Sequence, residues 1–355
     1  MSPPTANLAA EIRRTVQALG RDHSPFLQPD NGPDPSWLRI GLGLLAGVGV
    51  GALAAVQIFI LLSVILGIAW TVHLMLGGLS SATAQTLLDD LMSGQRTPDL
   101  AEQVGLIGVT AAANMAFAAC LVLVGSRVTR NRPMASLTSA PGWRWRHMLL
   151  GLFLYGLFIL AMTAFEDPAG APPYTAIFRT PATAFIFSLF FIPAILIAAA
   201  AEEFIFRGWI LRHAGRKVAR VSLAVLVALA SSMVFSLIHW ETDFDPNAII
   251  LRAAVGLGLC YVTLRMGGIE MATGAHAANN LVIFYLLHPF SLAESAVEPF
   301  DPWVILGAAM VLAGHVSLAE AALRIPALRR WLDPPGKAWD PRPAVDPVVP
   351  REPGG

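Results

Sequence analysis

The stretch PATAFIFSLFFIPAILIAAAAEEFIFRGWI, residues 181–210, carries no charge as far as Ala201 and then presents two adjacent glutamates and an arginine. An apolar run of this length is typical of a transmembrane helix. A charge near the centre of a bilayer costs about 2.5–3.5 kcal/mol on insertion scales. Glu202, Glu203 and Arg207 are therefore expected to pair with other groups or to line a wet cavity.

The composition indicates the same class of protein. Of the 355 residues, 55% are hydrophobic and 14% are charged, and the mean hydropathy is +0.61. A soluble domain carries about a quarter charged residues, so we predict an all-α, polytopic membrane protein embedded in a lipid bilayer. The net charge is zero and favours no nucleic-acid partner. Cys120 and Cys260 lie in apolar runs and are interpreted as packed hydrophobic residues.

The apolar runs predict about eight transmembrane helices, the first of which is long for a single helix. They lie at about 40–76, 104–125, 147–165, 181–211, 220–240, 248–264, 269–288 and 302–323. The predicted organisation is a polar segment (1–36), N-terminal membrane helices (37–165), a core (181–288), a last helix (302–323) and a Pro-rich disordered tail (324–355).

Charges in the intervening loops alternate between basic and acidic if residues 40–76 cross the membrane once. The basic segments are 127–146, 212–220 and the residues from 324 onward. The positive-inside rule then places both termini in the cytoplasm. The arginine-rich, lysine-poor composition favours a bacterial source, and hence the inner cell membrane.

The first polar cluster in a predicted span is Glu202, Glu203 and Arg207. Glu203 and Arg207 are i,i+4 neighbours on a helix and are expected to form an ion pair. Glu202 projects about 100° away from Glu203 and remains available for another role. A structural ion pair or the coupling site of a transporter would also explain this cluster.

Two further clusters place histidines at helical spacing. Phe235 and His239 are i,i+4 neighbours at the end of the fifth predicted span, where a histidine is commonly interfacial. His276 and Asn280 share a face of the seventh span, with Asn279 as the competing amide. Such a pair also occurs as a hydrogen bond between membrane helices.

Taken together, the clusters supply a carboxylate base, two imidazoles and an amide donor from three helices. These groups can activate a water molecule and stabilise an oxyanion. Glu202, His239 and His276 could instead hold zinc, although the HExxH pattern is absent. The other polar residues in or near the spans are interpreted as snorkelling or helix-packing groups: His73, Asn114, Arg252, His315 and Glu320.

The motifs EExxxR, FxxxH and HxxxN, in this order and on separate helices, resemble the CPBP intramembrane proteases. That family includes the type II CAAX-prenyl endopeptidases and bacteriocin-processing and self-immunity relatives, and the resemblance covers residues 181–288. It implies a general base (Glu202 with His239), oxyanion stabilisation (His276 and Asn280) and structural support (Glu203, Arg207 and Phe235). We expect a metal-free site without a cofactor, and zinc is the alternative.

The resemblance implies an endopeptidase acting on a membrane-anchored or lipid-modified protein or peptide. A non-catalytic immunity or scaffold protein and a proton-coupled transporter are the alternatives. The chain shows no internal repeat, which disfavours many transporter architectures.

The predicted spans place Glu202 and His239 at different depths in the membrane. Glu202 lies about 15 Å and His239 about 28 Å from the basic loop between their spans, at 1.5 Å per residue. A tilt, a kink or an early end of the fourth span would bring them together. The sequence then places the site in the half that faces the acidic loops.

Overall fold

The protein is a bundle of α-helices, seen in a computed structural model that describes residues 36–76, 83, 86, 100–129, 143–163, 181–217, 221–238, 245–283 and 299–332. The helices are α1 (Trp37–Leu76), α2 (Leu100–Thr129), α3 (Trp145–Thr163), α4 (Pro181–Glu203), a π-helix (Phe204–Leu211), α5 (Arg212–Arg216), α6 (Val221–Ile238), α7 (Pro246–Met266), α8 (Glu270–Val282), α9 (Trp303–Arg324) and α10 (Pro326–Leu332).

Each predicted span overlaps at least one of these helices, and the described residues confirm the all-α, polytopic membrane fold. Five of the described helices are long and apolar enough to cross a membrane, namely α1, α2, α3, α7 and α9. Helix α6 is apolar but shorter, at Leu223–Ile238. Residues 37–76 form one continuous helix, as a single crossing requires. The predicted N-terminal segment and tail lie outside the described residues.

Helix α1 packs against α2 through glycines spaced four residues apart. A Cβ atom on Gly47 would lie 2.6 Å from Leu121 Cδ1, and one on Gly51 would lie 3.0 Å from the Phe117 carbonyl. Gly43 makes the same kind of close approach one turn earlier. Small residues on one face let membrane helices approach closely where lipid supplies no hydrophobic driving force. Most of the remaining α1 surface is apolar and exposed, as expected for contact with lipid.

Helix α8 lies at the centre of the bundle, and every residue from Glu270 to Ala278 is buried. It packs on α3 through Gly151 and Gly274, because a Cβ atom on either residue would overlap backbone of the other helix. A Gly274 Cβ would overlap the Met148 carbonyl. Backbone contact without intervening side chains fixes α8, and with it His276, at a defined depth.

The link between α7 and α8 is built from local turn chemistry. Helix α7 begins with Asp245, whose carboxylate accepts a 2.8 Å hydrogen bond from the Asn247 amide. It ends at Gly267, where φ is 67°, a left-handed conformation that favours glycine. Glu270, the first residue of α8, forms a 2.9 Å ion pair with Arg144, which also donates to the Met266 carbonyl.

Helices α7 and α9 are joined by a network around Glu320. Its Oε1 accepts hydrogen bonds of 2.7 Å from both the Tyr261 hydroxyl and Arg265 Nε. Its Oε2 accepts a 2.8 Å hydrogen bond from Arg324 Nε. Glu320 is therefore a helix-packing group, one of the two roles expected for it from the sequence.

The contact between α3 and α8 gives a matched pair of stability variants. Gly274→Ala is expected to lower the free energy of unfolding by about 1–3 kcal/mol, since an added methyl group would overlap backbone that cannot move independently. Gly156→Ala lies on the same interface, where a Cβ atom would lie 3.6 Å from the Ala278 Cβ, in ordinary contact. Thermal unfolding of both variants in detergent checks this. Equal melting temperatures for the two would contradict it.

Candidate active site

The site is built on an ion pair between Glu203, the last residue of α4, and Arg207 in the π-helix. Arg207 Nη1 lies 2.8 Å from Glu203 Oε1, and both side chains are fully buried. This confirms the pair predicted from the i,i+4 spacing. Arg207 Nη2 also donates a 2.9 Å hydrogen bond to the Gly256 carbonyl of α7. One guanidinium thus neutralises a buried carboxylate and connects two parts of the bundle.

His276 of α8 lies against both glutamates. Its Nδ1 is 2.9 Å from Glu203 Oε1, and its Nε2 is 3.5 Å from Glu202 Oε2. The carboxylate can only accept, so the contact with Glu203 places a proton on Nδ1 and turns Nε2 toward Glu202. The sequence placed His276 with the oxyanion donors and identified no structural partner for Glu202. The structure gives Glu202 a contact with this imidazole.

Aromatic rings enclose the charged groups. The Phe235 ring of α6 lies edge-on to His276 with centroids 5.6 Å apart, and Arg207 Cζ lies 4.9 Å from the Phe235 centroid. Phe206 packs edge-on against Phe235 at 5.2 Å. Rings of this kind exclude water and strengthen the electrostatic contacts inside them. The contact between Phe235 and His276 also places the last turn of α6 at the level of the glutamates.

The backbone changes from an α-helix to a π-helix directly after the two glutamates, whereas the sequence predicted one continuous helix to about 211. The Arg212 amide donates to the Arg207 carbonyl, five residues earlier. Trp209 lies in this segment, is 1% exposed and packs on Gly125 of α2, where a Cβ atom would lie 2.8 Å from the indole. Single π-helical turns are often found at functional sites.

The charges of the cluster can balance within the membrane. Arg207 neutralises Glu203, so an overall neutral site requires one proton between Glu202 and His276. Burial of a net charge in a medium of low polarity is costly, which favours this balance. A proton held between a carboxylate and an imidazole provides a base and an acid in one place, as general acid–base catalysis requires.

The structure also places the site relative to the charged ends of the bundle. His276 lies six residues beyond Glu270 in α8, or about 9 Å at 1.5 Å per residue. Glu270 pairs with Arg144, which belongs to the basic segment 127–146. The Gly256 carbonyl that binds Arg207 lies midway along α7, so the placement in the half facing the acidic loops stays a prediction. Contact between Phe235 and His276 shows that the far part of α6 reaches the level of the cluster.

For two of the predicted residues, the described part of the chain shows no contact with this cluster. Asn280 is half-buried, and its Oδ1 accepts a 3.3 Å hydrogen bond from Asn279 Nδ2. His239 lies outside the described residues, one position beyond the end of α6. The described residues contain no group of three His, Cys, Asp or Glu side chains arranged to hold a metal ion. Glu202 and His276 supply two of the zinc donors considered above.

Three parts of the site were not recognised in the sequence. These parts are Phe206, the Gly256 carbonyl and the two contacts of His276. Each of them joins residues that lie far apart in the sequence. The bond from His276 to Glu203 spans 73 positions in the chain. Gly256 lies in the glycine-containing tract GLGLCYVTLRMGG, residues 256–268, and small residues of this kind are typical of close helix packing in membranes.

The fold and this buried carboxylate–imidazole cluster define a helical integral membrane protein with a charged and polar site inside the bundle. Residues 184–282 match the family model described as Type II CAAX prenyl endopeptidase Rce1-like, an intramembrane protease family. This match confirms the resemblance found in the three motifs, over the part of the chain that contains them.

One curated relative is similar to this chain over a longer stretch. The uncharacterized protein YyaK of Bacillus subtilis (strain 168) is 26% identical over 171 residues, which cover 46% of this chain and 55% of that protein. The match thus spans about half the length of the relative. No solved structure matches the chain.

Removal of Arg207 tests the ion pair. Arg207→Met leaves the Glu203 carboxylate buried without its cation and is expected to cost about 3–5 kcal/mol of stability. The double variant Glu203→Gln/Arg207→Met removes both charges and is expected to recover part of that loss. Thermal unfolding of the two variants and the wild type in detergent measures the coupling. A double variant less stable than Arg207→Met alone would argue against a compensating pair.

Proposed function

We propose that this protein is an intramembrane endopeptidase that hydrolyses a peptide bond of a membrane-associated or lipid-modified protein or peptide. The observation that carries the proposal is the Glu202–His276 contact of 3.5 Å, held by Glu203 and Arg207 inside the region that matches the CAAX protease model. A hydrolase of this kind needs a base for water, donors for the oxyanion and an environment that restricts bulk water.

In the proposed reaction, Glu202 removes a proton from a water molecule as the oxygen attacks the scissile carbonyl. His239 assists Glu202, and His276 and Asn280 donate hydrogen bonds to the oxyanion, in the roles that the resemblance implies. The proton on Glu202 then passes to the leaving nitrogen as the C–N bond breaks. The base is thereby regenerated, and the products are a carboxylic acid and an amine, which then exchange a proton to become a carboxylate and an ammonium group.

Glu203 and Arg207 position this apparatus rather than react. The Glu203 carboxylate, already balanced by Arg207, fixes the orientation of His276 through Nδ1. A histidine held in one tautomer by a carboxylate is a recurrent arrangement in hydrolytic sites. Because this contact occupies Nδ1, Nε2 is the ring nitrogen that faces Glu202 and the reacting groups. The mechanism proposed here needs no metal ion.

The non-catalytic scaffold and the proton-coupled transporter remain the competing functions. A scaffold does not require a second carboxylate beside the ion pair. The position of Glu202 against His276, with only 12% of its side chain exposed, favours chemistry over packing alone. The match to a protease family also favours hydrolysis over transport.

Glu202→Gln tests the proposed base. The amide is nearly isosteric but cannot accept a proton from water, so turnover is expected to fall by at least the 10²–10⁴-fold typical of a lost general base. The thermal unfolding temperature is expected to change little. The measurement is a comparison of protein termini in the membrane and secreted fractions of cells that carry wild type or variant at matched abundance.

The matched control is Glu320→Gln, the same substitution at the helix-packing network of α7 and α9. It is expected to give the wild-type set of termini if it folds. Identical termini in wild-type and Glu202→Gln cells would contradict the proposed base. Once a substrate is known from the termini, the assay is repeated after treatment with a strong metal chelator. Activity that is lost and then restored by zinc would replace the metal-free mechanism with the zinc alternative.

We further propose that both termini lie in the cytoplasm and that the protein resides in a bacterial inner membrane. Arg146 at the start of α3 donates a 2.8 Å hydrogen bond to the Trp331 carbonyl of α10, so two basic segments meet at one end of the bundle. At the other end, the Asp301 amide donates to Asn247, beside the capping Asp245. The positive-inside rule assigns the arginine-rich end to the cytoplasm.

Reporter fusions test this orientation. An alkaline phosphatase fused after Arg146 is expected to be inactive, and one fused after Glu298 is expected to be active, because the enzyme folds only outside the cytoplasm. A fluorescent protein at the same two positions is the reciprocal control. Phosphatase activity from the Arg146 fusion would invert the assignment.

A further inference from the structure

His315 is a buried polar residue to which the proposed mechanism assigns no role. It lies in α9 and is 0% exposed. Its Nδ1 lies 2.9 Å from the Val311 carbonyl. A carbonyl only accepts, so Nδ1 carries a hydrogen and Nε2 of the neutral ring is an acceptor. Among the residues that the structure describes, Nε2 has no hydrogen-bond partner.

Tyr155 of α3 presents a second buried polar atom next to the first. The Tyr155 ring packs on the His315 ring with centroids 4.1 Å apart and planes at 39°. The tyrosine is 1% exposed, and its hydroxyl also has no partner within the described part of the chain. The two rings are tilted against each other, and the hydroxyl donor and the Nε2 acceptor are not bonded to each other directly.

The helices are shaped to accept the imidazole at this position. A Cβ atom on Gly258 of α7 would lie 2.5 Å from His315 Cγ, so glycine is needed opposite the ring. The adjacent Gly314 lets α9 approach Phe158 of α3, where a Cβ atom would overlap the phenyl ring. An apolar side chain would fill this junction without leaving a polar atom unpaired. A histidine here is costly unless something satisfies it, and such residues in membrane segments are commonly functional.

We propose that Tyr155 and His315 bind internal water at the junction of α3, α7 and α9. A water molecule accepts from the Tyr155 hydroxyl and donates to His315 Nε2, which pairs both buried groups. Internal waters in proteins commonly bridge polar groups that have no other partner. The ring contact places the two polar atoms within reach of one or two bridging water molecules.

This water lies close to the candidate active site but is distinct from it. Gly256 and Gly258, two residues apart in α7, contact the two regions: the Gly256 carbonyl binds Arg207, and Gly258 packs on His315. The inference concerns water binding alone and stands whether or not the chain hydrolyses peptides.

Radiolytic labelling tests the inference. The purified full-length protein in lipid nanodiscs is exposed to brief X-ray pulses in oxygen-18 water, and the modified residues are identified by mass spectrometry. Hydroxyl radicals formed from bound water label the side chains that contact it. Tyr155 and His315 are expected to be labelled although both are buried. Met271, which is equally buried in the same apolar core and readily oxidised, is the dry reference.

Two variants make the test specific. His315→Leu is expected to abolish labelling of Tyr155, and Tyr155→Phe is expected to abolish labelling of His315. Leu318→Met in α9, which conserves volume, is the control and is expected to leave both labels unchanged. Thermal unfolding shows which variants fold, and either one suffices. Labelling of Tyr155 and His315 at the level of Met271, or labels that persist in the folded variants, would overturn the proposal.

Discussion

Arg207 donates a 2.8 Å hydrogen bond to Glu203 where neither side chain has any exposed surface, and this contact holds the site together. An unpaired charge at this depth would be far more costly than the pair. The same guanidinium binds the Gly256 carbonyl, and the same carboxylate binds His276. The pair therefore connects the π-helix with α7 and α8, and the orientation of the imidazole depends on it.

Close helix contacts make such an arrangement possible. Gly151 and Gly274 let α3 and α8 meet at the backbone, and Gly258 of α7 leaves room for the His315 side chain of α9. Helices that meet at the backbone can hold polar groups at fixed separations, which longer apolar side chains would not do. The π-helix adds to this, because it turns Arg207 toward Glu203 while Trp209 packs on α2. Stability of the bundle and geometry of the site thus have a common basis in backbone contact.

The candidate site has charged and polar side chains at its centre and apolar side chains around them. Phe206 of the π-helix and Phe235 of α6 close it on one side, and the Arg207 guanidinium lies over both rings. Glu202 and His276 thus meet in surroundings of low polarity, within the part of the chain that matches the CAAX protease model.

The sequence by itself determined the membrane spans, the Glu203–Arg207 pair and the motifs that match the CAAX protease model. These features are local: apolar length predicts a span, and four positions on a helix bring two side chains together. Only the tertiary structure decided that His276 meets both glutamates, that the helix changes to a π-helix after Glu203, and that Phe235 reaches the level of His276. These outcomes depend on helix tilt and on contacts between distant parts of the chain, which residue spacing does not encode.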